Sequence, residues 1–221
     1  MKEEYFTPET IDAIAGEMLG GVIHLRNRHP VRCTPERSAL LVIDMQRYFL
    51  DEGSHAYVPG SRAILPKIRA LIDGFARAGG QVIFTRHVNT PADAGSMAVW
   101  WRGMITDEAG AADLAPGLDR REFPVVVKSQ YDAFYGTSLE AMLRDSGVEQ
   151  VAVAGVMTHL CCETTARSAF VRGFSVLFPV DGTATYTAEL HRASLCTLAH
   201  GFAVPLLVSE LLELVHEAGT G

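Results

Sequence analysis

The chain has 221 residues, 48% hydrophobic and 20% charged, values that suit one globular domain with a sizeable core. Its net charge is −7 and its 19 basic residues are scattered, which argues against nucleic acid and anionic membranes as partners and leaves a small-molecule substrate open. No signal-peptide pattern is read at the N-terminus and no apolar run approaches a bilayer span; the four cysteines lack paired CxxC spacing, so free thiols and a cytoplasmic setting are expected.

Residues 1–37 read as a helical extension, because PETIDAIAGEML (Pro8 to Leu19) has helical spacing, and residues 38–221 as the main domain. ALLVID (Ala39 to Asp44) is a continuous apolar run ending in a carboxylate, the mark of a strand buried on both faces. Ile64 to Gly80 has helical spacing and a Gly-Gly stop. Strands follow at Gln81 to Arg86 and Phe123 to Ser129, separated by a long loop, Val88 to Arg121, whose Trp100-Trp101 pair suits a substrate lid or a subunit contact. Next come a helix at Ser138 to Gly147, a strand at Gln150 to Val156, and a helix from Cys161 to about Arg172. A strand at Phe174 to Asp181, a helix at Thr187 to Gly201 and a strand at Phe202 to Val208 complete the series. This alternation predicts an α/β fold, a three-layer αβα Rossmann-like sandwich around a parallel sheet of about six strands.

Ligands of such sheets collect at the carboxyl ends of the strands, so polar residues there are site candidates. Asp44, Lys128 and Cys161 form a chemically coherent set. A thiolate is a strong nucleophile, and a neighbouring ammonium and a helix N-terminus are both expected to lower the Cys161 pKa. Asp44 could take the thiol proton and later deliver it to a leaving group. Taken singly, each has a plainer reading: a buried small side chain for Cys161, a cap for Asp44, a solvated cation for Lys128. It is their combination that favours chemistry.

Three ordered segments, LLVIDMQRYF, VVVKSQYDAFYGTSL and VAGVMTHLCCETTA, resemble the isochorismatase-like cysteine hydrolases. This superfamily includes nicotinamidases, N-carbamoylsarcosine amidohydrolases and isochorismatases. The resemblance covers roughly Ser38 to the C-terminus. It implies a catalytic Asp44, Lys128 and Cys161, a cis peptide between Val156 and Met157, and a homo-oligomer, dimer or tetramer. It also supports pocket-lining roles for Tyr131 and Phe134. Counting from Gly155, the pattern Gly-Val-x-Thr-x-x-Cys places the nucleophile at Cys161, with Cys162 as packing. The oxyanion would be held by the N–H groups of Met157 and Cys161, and further substrate contacts are assigned to Arg86, His87 and Trp101. Nicotinamidases resembling this chain carry an Asp-x-His metal pair where it reads His87 and Asn89, so no metal and no cofactor is expected and nicotinamide is disfavoured. The resulting expectation is C–N bond cleavage in a small amide or carbamoyl compound through a thioester. Alternatives are isochorismatase-type vinyl-ether hydrolysis and a non-catalytic small-molecule-binding oligomeric module.

Overall fold

The computed structural model describes residues 2–101, 103–107, 110–118 and 123–218. Part of the loop expected to act as a lid therefore lies outside the described residues. In chain order the main elements are α1 (Ile11–Arg26), β1 (Ser38–Ile43), α2 (Arg47–Leu50), α3 (Ser61–Arg77), β2 (Gln81–His87), α4 (Met97–Trp100), β3 (Val125–Lys128) and α5 (Leu139–Asp145). They continue with β4 (Gln150–Val156), α6 (Glu163–Val171), β5 (Ser175–Pro179), β6 (Thr183–Ala184), α7 (Ala188–Gly201), β7 (Val204–Leu206) and α8 (Val208–Ala218).

Among the described residues the strands form one sheet, in the order β3-β2-β1-β4-β5-β7, with the two-residue β6 pairing β4. Every pairing is parallel. The centre is β1, all six residues of which are buried, as its unbroken apolar run requires. The strand order reverses between β1 and β4. Right-handed crossovers on either side of that point put α3 and α6 on opposite faces of the sheet. Accordingly α3 packs on β1, β2 and β4 and against α8, whereas α6 packs on β5 and against α7.

Two departures from the expected elements have packing causes. The first helix runs through Gly20-Gly21 to Arg26, because Met18, Leu19 and Val22 are buried in the common core and the helix lies along α7. That burial outweighs the roughly 1 kcal/mol per glycine by which helix propensity opposes it. At the other end, the last strand stops at Leu206 and α8 begins at Val208, burying Val208, Leu211 and Val215 along one face.

The approach of β4 to β1 depends on Gly155. Its φ is +123°, and a Cβ there would lie 2.1 Å from the Ile43 carbonyl oxygen. Only glycine fits this position. The close approach brings the end of β4 alongside the end of β1, where the polar residues gather.

Candidate active site

Asp44 directly follows β1 and is fully buried, with a left-handed φ of +47° that is uncommon outside glycine. Thr85 on β2 holds it there: the Asp44 N–H donates to Thr85 Oγ1 at 3.0 Å, and the same hydroxyl donates to Asp44 Oδ1 at 2.7 Å. Lys128, the last residue of β3, places its Nζ 2.7 Å from Asp44 Oδ2. The ammonium also donates to the Gln130 carbonyl at 2.8 Å and approaches His87 Nδ1 at 3.3 Å and Cys161 Sγ at 3.5 Å. Cys161 arrives from the end of β4, after a cis Val156–Met157 peptide, on a π-helical turn (Thr158–Cys162) that leads into α6. Three chain segments thus converge on one ammonium.

The electrostatics follow from burial and pairing. Burial alone would pull the Lys128 pKa down, but Asp44 and Cys161 reverse this and the pKa is raised, so the lysine is cationic. His87, with its Nδ1 facing a cation, is an acceptor on that side; its Nε2 pairs with Asn89 Oδ1 at 2.8 Å, which assigns the proton to Nε2. Burial and Lys128 lower its pKa, so the ring is neutral. The Cys161 thiol departs from the expectation of a lowered pKa. Burial pushes it up to about 12; Lys128 pulls the other way, and Asp44 adds to the rise. The sulfur sits behind the protein surface, and its desolvation outweighs the ammonium. The resting group is the thiol.

Donor atoms of Asp44, His87 and Cys161 all lie within 4.8 Å of one another, a spacing that suits a metal ion. Lys128 Nζ is in reach of all three, so the cation these donors surround is the protein's own ammonium. The pair at the metal positions of resembling nicotinamidases, His87 and Asn89, is likewise committed: Asn89 accepts from the imidazole and its Nδ2 donates to the Ser129 carbonyl at 2.9 Å. These residues do not fit a metal.

Beside the cluster lies a hollow of about 560 Å³, which Cys161 and Met157 line together with His87, Trp101 and Tyr131. Trp101 Nε1 donates to the Tyr131 hydroxyl at 2.7 Å, joining the long loop to the segment after β3. Two expected substrate contacts fall elsewhere. Arg86 precedes His87 on β2, and successive strand residues face opposite sides. Its guanidinium donates to the Ala112 carbonyl at 2.9 Å and pairs with Asp107 and Asp113, away from the hollow. Phe134 is buried in packing, stacked on Phe174 at 6.1 Å, with the Arg172 guanidinium over its ring. Conversely, several participants come unannounced. Thr85 could be suspected as a hydroxyl inside an otherwise apolar buried strand, since such a group needs a partner. Lys2, Tyr48, His55 and Tyr186 reach the hollow from remote segments, and no local pattern in the sequence marks them.

The isochorismatase domain family model matches residues 38–210. The chain belongs to the isochorismatase family. It is 42% identical over 171 residues to Nicotinamidase 3 of Arabidopsis thaliana, covering 75% of this chain and 82% of that one. It is 35% identical over 150 residues to Streptothricin hydrolase of Streptomyces noursei, covering 67% of this chain and 54% of that one. Among solved structures, a cysteine hydrolase from Pseudomonas syringae pv. phaseolicola superimposes with a TM-score of 0.81 at 26% identity, covering 86% of this chain and 97% of that one. This isochorismatase-family protein is a hydrolase. No helix among its described residues is long and apolar enough to cross a membrane.

Proposed function

We propose that the protein is a cysteine amidohydrolase that cleaves the C–N bond of a small amide or carbamoyl compound through a thioester. As the substrate carbonyl settles against the sulfur, the Cys161 proton passes to Asp44 and the sulfur bonds to the carbonyl carbon. The carbonyl π pair moves onto oxygen, and the N–H groups of Met157 and Cys161 receive the developing charge. Collapse of this adduct breaks the C–N bond, and Asp44 returns its proton to the departing nitrogen. Water then attacks the thioester, again giving a proton to Asp44. The thiol leaves with that proton, so the products are a carboxylic acid and ammonia or an amine. Lys128 stays protonated throughout and offsets the Asp44 charge, which keeps the cluster neutral at rest.

The observation that carries this reading is the placement of one buried ammonium 2.7 Å from the Asp44 carboxylate and 3.5 Å from the Cys161 sulfur, beside a ligand-sized hollow. A thiol raised to about 12 fits a mechanism in which the proton leaves during attack rather than before it. The hollow's aromatic walls favour a planar carboxamide, and the identity to Nicotinamidase 3 places nicotinamide in the test panel despite His87 and Asn89. The test is hydrolysis of aromatic and aliphatic primary amides by the wild-type and Cys161→Ala proteins, with mass spectrometry for an acyl adduct on residue 161. Loss of turnover by at least 10³-fold is expected of a missing nucleophile. Undiminished turnover by the Ala variant overturns the covalent mechanism. Cys161-independent hydrolysis of isochorismate that is lost in Asp44→Ala would point to vinyl-ether chemistry instead.

A further inference from the structure

The residues before α1 run beside the hollow, and Lys2 among them lines it. Glu3 N–H donates to the Tyr186 carbonyl at 2.7 Å, and Ala188 N–H donates to Glu3 Oε2 at 3.0 Å. The Tyr5 hydroxyl accepts from Thr185 N–H at 3.0 Å and lies 2.9 Å from His191 Nδ1, while Phe6 is completely buried. The strap is therefore anchored by backbone bonds, side-chain bonds and a buried ring within four residues. Its position follows from these bonds.

Immediately before this anchor, Lys2 lines the hollow. Its Nζ donates to the His55 carbonyl at 2.6 Å and stands 4.7 Å from the centre of the Tyr186 ring. Neither partner carries a negative charge. Among the described residues, no Asp or Glu lines the hollow and no carboxylate pairs with the Lys2 ammonium. Other lysines behave differently: Lys67 bonds to Asp12 and Asp181, and Lys128 to Asp44. An exposed cation held by a carbonyl and an aromatic face, with no carboxylate paired to it, leaves an ammonium open to an anionic ligand at the edge of the hollow. Partial burial already lowers its pKa, the cost of leaving bulk water without an anionic partner.

From this geometry we infer that Lys2 is a specificity-determining residue: the strap carries it to the rim so that its ammonium binds an anionic group at the end of the substrate remote from the scissile amide. The substrate class becomes an amide that also bears a carboxylate or comparable anion, with a planar body against the wall that Trp101 and Tyr131 form together. The inference rests on the amidohydrolase reading for the word "substrate", but its physical content is anion binding at the rim.

The experiment separates the two. Dissociation constants for 4-carbamoylbenzoate and for uncharged 4-methylbenzamide are measured by quenching of the protein's two tryptophans, in a Cys161→Ala background where turnover is blocked. The readout is the ratio of the two affinities. With Lys2 present, the anion is expected to bind about tenfold more tightly than the neutral amide, the usual strength of a charge-assisted hydrogen bond. Lys2→Gln should bring the ratio to about one, Lys2→Arg should restore it, and added salt should shrink it only where the cation is present. A ratio of about one with Lys2 intact, or a ratio unchanged by Lys2→Gln, overturns the inference. Failure of Lys2→Arg to restore the ratio also overturns the inference. If the ratio behaves as expected while the wild-type protein hydrolyses no amide, the amidohydrolase reading fails and the anion site stands.

Discussion

Replacing Asp44 by Asn tests the central charge pair. The substitution keeps the side-chain shape and leaves an oxygen to accept the Thr85 hydroxyl, so it removes charge and little else. At an effective dielectric constant of about 20, unit charges 2.7 Å apart attract by about 6 kcal/mol. Part of that attraction offsets the desolvation of both ions, and removing one partner of a buried pair costs about 3–5 kcal/mol. Urea unfolding at pH 7 should therefore show Asp44→Asn destabilised by about that amount. The pH dependence should also change. In the wild type the Lys128 pKa is raised in the fold, so its stabilisation is fully present below the unfolded-state value of 10.5 and lost only as pH rises through the folded value. Without Asp44, burial dominates and the folded pKa falls below 10.5. The deficit should then be smallest above pH 10.5, grow as pH falls from 10.5 toward the new folded value, and level off below it. The double variant Asp44→Asn, Lys128→Met should be less destabilised than the single one, because no unpaired ion remains. A single variant within 1 kcal/mol of wild type, with parallel pH curves, would refute this account of the cluster.

Three further predictions concern separate parts of the molecule. Alkylation of Cys161 by iodoacetamide should accelerate continuously from pH 7 to pH 11 without a plateau, since the thiol is raised to about 12; a plateau below pH 8 would mean a resting thiolate. Gly155→Ala should lose at least 3 kcal/mol in denaturant titration, because its Cβ would meet the Ile43 carbonyl at 2.1 Å; near-wild-type stability would mean that β1 and β4 can separate. His191 is buried and neutral, its pKa lowered from 6.5 to about 3 mainly by burial, so the unfolded chain binds a proton that the fold refuses between those values. Stability should fall as pH drops through 6.5 toward 3, and His191→Gln should flatten that slope in acid-unfolding curves; an unchanged slope would assign the acid sensitivity elsewhere.

Much of the geometry of the candidate site can be read from local pattern because the sheet itself transmits it. An apolar run ending in Asp44 and another ending in Lys128 must place those residues at one edge, since parallel strands share a direction. Strand alternation carries information that assigning both Arg86 and His87 to the substrate passed over: two neighbours on β2 cannot both face the hollow. Local pattern says less where long-range packing decides. The helical spacing read over Pro8 to Leu19 ends before Gly20-Gly21, and the helix continues to Arg26 only because α7 is there to bury Val22 beyond them. The Val208, Leu211 and Val215 spacing marks a helix, but it overlaps an apolar stretch that also suits a strand. The thiol pKa depended on depth: Lys128 was foreseeable, whereas the enclosure around Cys161 is a property of the assembled core. Lys2 carries no motif at all, and only the fold brings residue 2 to the hollow that residues 161 and 186 also line.

Gln46 illustrates how such a molecule can change its diet. Its amide donates to the carbonyls of His87 and Ala112 at 2.9 and 2.8 Å, and its oxygen accepts the His87 N–H at 2.8 Å. One side chain, two positions from the Asp44 carboxylate, thus rivets the foot of the long Trp-bearing loop to the sheet. Residues beyond the rivet can be exchanged, lengthened or reshaped while the carboxylate stays in register. Selection can act on what the hollow admits without re-tooling the chemistry at its floor.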